Sequence, residues 1–158
     1  MYSFILFASI IAQSTLVITS SSFNQDAMIP SAYTCDGVNI SPELSISEVP
    51  KDSKTLVIIM YDPDAPGGNF DHWIVYDIIP GGKINESSSP GTKGINSKGE
   101  FGYTGPCPPE GTHHYHFKVY ALDTNLNLKE GASRKMVEDV MAGHVLATGE
   151  LIGLYKKK

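Results

Sequence analysis

Three short clusters of polar residues each lie beside an apolar run, and together they could form a binding pocket. The clusters are Asp62-Pro-Asp-Ala-Pro66, His72-Trp73 and the segment 102–117, which contains His113 and Tyr115. Imidazole N–H and phenol O–H groups donate hydrogen bonds, and a carboxylate can keep a neighbouring imidazole protonated and oriented. Such a pocket suits a small oxyanion, with Asp62 holding a pocket histidine in its donor form.

The apolar runs predict the strands that position these clusters. Continuous apolar runs at 55–61 and 73–79 are typical of strands covered on both faces. The loop of about ten residues between Asp62 and His72 is shorter than a parallel crossover usually needs, so an antiparallel return is favoured. That return places both residues at one end of a sheet, and the prolines of the loop hold Asp64 near the same rim.

The segment 112–122 alternates in polarity and predicts another strand. One face begins with His113 and Tyr115 and then becomes apolar, so we expect it to meet the core with its polar end at the mouth of the pocket. His114 and His116 fall on the opposite face and are expected to point outward.

The segment 102–111 is dense in glycine and proline and is predicted to form a rigid wall that brings backbone close to a ligand. It contains Cys107; the second cysteine is Cys35, and the sequence leaves open whether the two form a disulfide. A nucleophilic arrangement of Cys107, His113 and Asp62 is an alternative. It is disfavoured because prolines flank Cys107, whereas a helix N-terminus would lower the pKa of its thiol.

The remaining segments predict a single strand-rich domain. Residues 16–23 predict a first strand, 133–146 predict a helix with Ser133 as its N-cap, and 150–155 predict a closing strand. The polar segment 83–99 is long for a connection without secondary structure, so we interpret it as mobile or functional.

Length and charge limit the classes of function. The chain has 158 residues, the size of one domain, and its net charge of −5 without a basic stripe argues against nucleic-acid binding. Residues 1–13 are too short to cross a bilayer as a helix but have the length of a secretory signal. We expect residues 14–158 to form the domain, secreted or periplasmic if 1–13 are removed and cytoplasmic otherwise, with no integral membrane span.

Plainer interpretations compete with a binding site. On residue type alone, Asp62 and Asp64 would be loop acids that cap turns. His114 and His116 are an incomplete ligand set for zinc, so we expect neither a metal nor a cofactor. His144, on the predicted helix, is interpreted as a packed or capping residue.

The three motifs in this order resemble the phosphatidylethanolamine-binding protein family, which includes the Raf-kinase-inhibitor proteins. The third motif reads Gly-Tyr-x-Gly-Pro-x-Pro-Pro-x-Gly-x-His-x-Tyr-x-Phe over 102–117. The segment 33–42, together with Gly143-His144 and Tyr155, looks like the bacterial and archaeal branch. The resemblance implies a mainly β fold, in which a large β-sheet packs on a smaller one as a β-sandwich, with one or two peripheral helices.

The resemblance also implies a shallow anion pocket at one end of the sandwich. Carried onto matching positions, the ligand-binding residues are Asp62, Asp64, His72, Pro109, His113 and Tyr115. The implied function is non-enzymatic binding of a small phosphate- or carboxylate-bearing ligand, such as a phosphate head group. The alternative is an inhibitor-like regulator that binds a kinase or protease.

One position departs from the family pattern. Many members have arginine between the pocket histidine and tyrosine, where this chain has His114. Because strand alternation aims that side chain away from the pocket, we expect the difference to affect an outer contact more than the anion site.

Overall fold

The computed structural model describes residues 14–158, which form two β-sheets and one α-helix. The predicted secretory signal, residues 1–13, lies outside the described residues. In chain order the strands are β1 (Ser14–Thr15), β2 (Val17–Thr19), β3 (Ala27–Met28), β4 (Leu44–Ser47), β5 (Thr55–Asp62), β6 (Phe70–Ile78), β7 (Lys83–Ile84), β8 (Thr92–Lys93), β9 (Thr112–Leu122) and β10 (Val145–Lys156). The helix α1 spans Arg134–Met141, and Ser31–Tyr33 forms a short 3-10 helix.

The larger sheet has the strand order β1-β10-β9-β5-β6-β8, and β3 also pairs with β10. β5 runs antiparallel to β6 on one side and to β9 on the other. The predicted antiparallel return is confirmed, because Asp62 at the end of β5 pairs with Phe70 at the start of β6. His72 therefore lies at the same end of the sheet as Asp62.

The smaller sheet, β2-β4-β7, covers one face of the larger sheet. Apolar side chains from both sheets form the core between them; they include Ile18, Leu44, Ile46, Leu56, Ile58, Met60, Phe117 and Val119. This burial of apolar surface is the main stabilising contribution of the sandwich. The mainly β, two-sheet fold implied by the resemblance is confirmed.

The helix α1 packs on the other face of the larger sheet. Val137 and Met141 are buried there in a second apolar cluster with Val57 and Ile59 of β5. Since β5 contributes to a core on each face, its continuous apolar run is explained. Within residues 14–158, no helix is long and apolar enough to cross a membrane.

The predicted helix is correct at its start and wrong at its end. The Ser133 hydroxyl accepts a hydrogen bond from the Met136 backbone N–H, as expected of an N-cap. The helix ends at Met141, because Gly143 adopts a φ of 81° and the chain turns into β10 at Val145. Consequently His144 lies outside the helix.

The turn after α1 places His144 beside a carboxylate. Its Nδ1 lies 2.8 Å from Asp123 Oδ1. The strand that follows, Val145–Lys156, is longer than the closing strand predicted over 150–155.

The single strand predicted over 16–23 is also wrong. The chain pairs with the larger sheet through β1, and then with the smaller sheet through β2. Leu16 lies at the crossing point, where its side chain is buried and its N–H donates to Thr148 O at 2.8 Å. Because one short segment supplies both sheets, neither pairing extends into a long strand.

Candidate functional site: a cavity at the ends of β5, β6 and β9

A cavity of about 390 Å³ lies where the end of β5 meets the starts of β6 and β9. Five of the six predicted residues line it: Asp62, His72, Pro109, His113 and Tyr115. The other lining residues are Ala65, Pro66, Phe70, Lys98, Thr104, Gly105, Cys107 and Pro108. Strand alternation explains the convergence, because Asp62 shares a face of β5 with Met60, and His113 and Tyr115 share the matching face of β9.

Asp62 and His113 form a buried pair inside the cavity. Asp62 Oδ2 lies 2.7 Å from His113 Nδ1, so the ring nitrogen donates and the carboxylate accepts. Because Nδ1 is engaged with Asp62, Nε2 is the ring nitrogen of His113 that can form a hydrogen bond with a ligand. The geometry matches the interpretation that Asp62 orients a pocket histidine.

His72 is held in a different way. Its Nδ1 donates to the backbone carbonyl of Thr104 at 2.8 Å. Burial lowers the pKa of His72, against the opposing effects of the Thr104 hydrogen bond and of the Asp62 and Asp71 charges. A neutral His72 with its proton on Nδ1 presents Nε2 as an acceptor, so it complements a ligand hydroxyl better than a bare oxyanion.

Tyr115 contributes a buried hydroxyl with no hydrogen-bond partner among residues 14–158. Burial raises the pKa of Tyr115, and the nearby carboxylates of Asp62 and Asp64 add to the effect. The hydroxyl therefore keeps its proton and is a donor. A buried donor without an acceptor costs about 1–3 kcal/mol, which a ligand oxygen could recover.

Asp64 does not line the cavity. One of its oxygens, Oδ2, accepts hydrogen bonds from both the backbone N–H and the Nδ1 of His114, at 2.8 and 2.7 Å. These hydrogen bonds lower the pKa of Asp64. Its own N–H donates to Asp62 Oδ1 at 2.8 Å, so Asp64 lies behind the pocket residue. The outer contact expected of His114 is this carboxylate.

The glycine- and proline-rich wall is fixed by a disulfide between Cys35 and Cys107, whose Cα atoms are 5.4 Å apart. The pairing that the sequence left open is therefore present. It also removes the alternative in which Cys107 acts as a nucleophile, because a disulfide sulfur is not a thiolate.

Gly105 shows how closely this wall approaches the neighbouring turn. Its N–H donates to Asn39 Oδ1 at 2.7 Å, and a Cβ at this position would lie 2.3 Å from Tyr33 O. Only glycine fits, so the backbone of the wall is held directly against the turn that carries Cys35.

Sequence reasoning missed Lys98, which lines the cavity. It belongs to the polar segment 83–99, whose length was the only signal of a function. Nothing in that signal identified which residue would reach the pocket. Phe70 was also missed, although it lies just two positions before His72.

The outward-facing histidines of β9 each pair with a carboxylate. His114 contacts Asp64, and His116 Nδ1 lies 2.9 Å from Glu150 Oε1. Within residues 14–158, no three histidine, cysteine or acidic residues are grouped so that they could hold a metal ion.

Known proteins are similar to this chain in sequence. A family model described as phosphatidylethanolamine-binding protein matches residues 19–156. A UPF0098 protein of Pyrococcus horikoshii is 53% identical over 150 residues, which cover 88% of this chain and 76% of the relative. A UPF0098 protein of Methanothermobacter thermautotrophicus is 47% identical over 143 residues, covering 85% of this chain and 95% of the relative.

Two solved structures share the fold. One, from Chlamydia trachomatis, is described as a candidate homolog of the phosphatidylethanolamine-binding protein; it has a TM-score of 0.89 and 41% identity, covering 92% of this chain and 99% of that one. The other, from Escherichia coli, is described as a new member of the mammalian family; it has a TM-score of 0.84 and 29% identity, covering 92% and 100%. On the sequence match and the shared fold, the chain belongs to the phosphatidylethanolamine-binding protein family.

Proposed function

We propose that this protein is a non-enzymatic binding protein whose cavity holds a small phosphate- or carboxylate-bearing ligand. The observation that carries the proposal is the buried Tyr115 hydroxyl, which has no hydrogen-bond partner among residues 14–158 and belongs to a side chain that lines the cavity. A ligand oxygen placed within hydrogen-bonding distance of this hydroxyl would satisfy it. An anionic oxygen would do so best, because hydrogen bonds to charged acceptors are the stronger ones.

The neighbouring groups support an anionic ligand. When His113 carries both ring protons, Nδ1 donates to Asp62 and Nε2 can donate to the ligand. Lys98 adds an ammonium group at the rim. A phosphate monoester, which carries about −1.5 to −2 charges near neutral pH, would find complementary charge and donors here.

The arrangement supports binding rather than turnover because the candidate nucleophiles are already engaged. Cys107 is bonded to Cys35. Both oxygens of Asp62 accept hydrogen bonds, one from His113 and one from the Asp64 N–H. An engaged carboxylate is better placed to orient a histidine than to attack a substrate.

The test is a titration of inorganic phosphate into isotope-labelled protein, followed by NMR in a buffer free of phosphate and carboxylates. Saturable shifts should appear at His113 and Tyr115. Tyr115→Phe should weaken binding about tenfold or more, the size of one hydrogen bond to a charged group. Tyr120→Phe is the matched control, since it makes the same change on the opposite face of β9.

Two results would contradict the proposal. One is a titration without saturable shifts at the cavity residues. The other is equal phosphate affinity in the Tyr115→Phe and wild-type proteins, because the buried hydroxyl would then make no contact with the ligand.

A further inference from the structure

Among the residues of the described part of the chain that line the cavity, Lys98 is the one lysine or arginine and Asp62 is the one acidic residue. The side chain of Lys98 is exposed, so its ammonium group is open to a ligand at the rim of the cavity. Lys98 is thus the lysine that the cavity lining offers to an anionic ligand. Its backbone must be held in place if that charge is to distinguish one ligand from another.

Asn96 fixes the loop that carries Lys98. This buried side chain accepts hydrogen bonds at Oδ1 from the backbone N–H groups of Lys98 and Glu100, at 3.0 and 3.2 Å. Its Nδ2 donates to Gly102 O at 3.1 Å. Gly99 completes the turn with a φ of 81° and an N–H that donates to Asn96 O. The loop therefore has a defined conformation around one buried amide.

Ser97 attaches the same loop to the start of β6. Its N–H donates to Asp71 O at 2.9 Å, and its hydroxyl accepts from the Asp71 N–H at 2.8 Å. Asp71 directly precedes His72, and Ser97 directly precedes Lys98. The double contact therefore sets the position of Lys98 relative to the pocket histidine.

The charges of the other cavity residues show why an anionic ligand would need the cation of Lys98. Asp62 contributes a buried negative charge that a second anion must approach, and His113 can offset it when doubly protonated. Burial lowers the pKa of His72 from its ordinary value, so at pH 8 this ring adds no positive charge. A singly charged ligand could be held by Tyr115 and His113, whereas a doubly charged ligand needs a further cation.

We propose that Lys98 makes the cavity selective for ligands that end in a doubly charged phosphomonoester over singly charged phosphodiesters. This inference rests on the proposed function of the same cavity. It assigns the ligand a terminal phosphate group, whether the phosphate belongs to a small metabolite or to a larger molecule.

The experiment compares dissociation constants of methyl phosphate and dimethyl phosphate at pH 8 and low ionic strength. At this pH the monoester is a dianion, because its second pKa is about 6, and the diester carries one charge. Wild-type protein should prefer methyl phosphate. Lys98→Met should weaken methyl phosphate binding about tenfold, the size of one charge-assisted hydrogen bond, and should affect dimethyl phosphate less.

Two further variants make the comparison specific. Lys51→Met removes the same charge from an exposed turn that precedes β5, at the strand end opposite Asp62, and should change neither constant. Lys98→Arg retains the charge and should retain the preference for the monoester.

The outcomes separate this inference from the proposed function. If wild-type protein binds neither ester, both are overturned. If it binds both esters and Lys98→Met weakens them equally or not at all, the selectivity inference is overturned and the anion-binding proposal stands.

Discussion

Asp62 and His113 are joined by a hydrogen bond of 2.7 Å between strands β5 and β9, and both side chains are at least nine-tenths buried. One carboxylate oxygen of Asp62 accepts from the His113 ring, and the other accepts from the Asp64 N–H. The orientation of the His113 ring therefore depends on Asp62. In a variant that lacks Asp62 Oδ2, the buried Nδ1–H of His113 would have no acceptor.

The first prediction concerns this pair. Asp62→Ala should lower the free energy of unfolding by about 1–3 kcal/mol, because His113 Nδ1 and the Asp64 N–H both lose their acceptor. Asp62→Asn keeps one acceptor oxygen and should lose less. Urea unfolding at pH 7 measures both variants, and equal losses would show that the hydrogen bonds contribute little.

A second prediction separates Asp64 from Asp62. Asp64 contacts His114 on the outside of the cavity, where both side chains are about half exposed. Asp64→Ala should therefore cost less than about 1 kcal/mol of stability, as exposed ion pairs do. The same NMR titration should show that Asp64→Ala loses less phosphate affinity, relative to the wild-type protein, than Tyr115→Phe does. A larger loss would mean that Asp64 contacts the ligand.

The third prediction is a pH dependence that arises from His72. Burial lowers the pKa of His72, so the unfolded chain takes up a proton on this residue at a higher pH than the folded protein does. The contribution of neutral His72 to the free energy of unfolding is fully present above the pKa of about 6.5 that the residue has in the unfolded chain. It is lost as the pH falls below that value toward the lower pKa of His72 in the folded protein. His72→Asn keeps a donor for Thr104 O and does not titrate.

Urea unfolding of wild type and His72→Asn between pH 5 and 8 measures this contribution. The wild-type protein should lose more stability than the variant as the pH is lowered. Parallel pH profiles would show that His72 does not couple folding to protonation. The stability contributed by the pair of Asp64 and His114 should be lost only at a lower pH than this. Its loss requires protonation of the Asp64 carboxyl, whose pKa is already lowered.

The fourth prediction concerns the disulfide. Cys35 and Cys107 are 72 residues apart, and closing a loop of that length should stabilise the folded protein by about 4 kcal/mol through the lost entropy of the unfolded chain. A dithiol reductant should lower the free energy of unfolding by about that amount. Phosphate affinity should fall as well, because Cys107 belongs to the cavity wall.

The matched control for the reductant is the double variant Cys35→Ser with Cys107→Ser. It should have the stability of the reduced wild-type protein and should not respond to the reductant. A wild-type protein with the same stability before and after verified reduction would contradict the prediction.

The fold could be predicted where one local pattern decides the structure. Alternation identified β9 with the bounds the structure has, and the apolar run at 55–61 identified β5. The pattern failed at Leu16, where a single apolar segment passes from one sheet to the other. It also failed after Met141, where a glycine with positive φ ended a helix whose apolar spacing continued.

The site could be predicted where the residues lie on strands. His113 and Tyr115 follow from alternation along β9, and Asp62 and His72 follow from the antiparallel return. Asp64 could not be placed, because its orientation depends on a turn and on the partner it finds in His114. Lys98 could not be found, since a buried amide 2 residues before it determines where its loop lies.

The strand β10 pairs both with the strand that precedes it and with strands from the beginning of the domain. β10 pairs with β9 on one edge and, in parallel, with β1 and β3 on the other, so that Ser14 pairs with Ala147. During synthesis, β1 and β3 leave the ribosome long before the strand they need. The N-terminal strands β1 and β3 must therefore wait, hydrated and unpaired, and the larger sheet can be completed only after β10 has emerged.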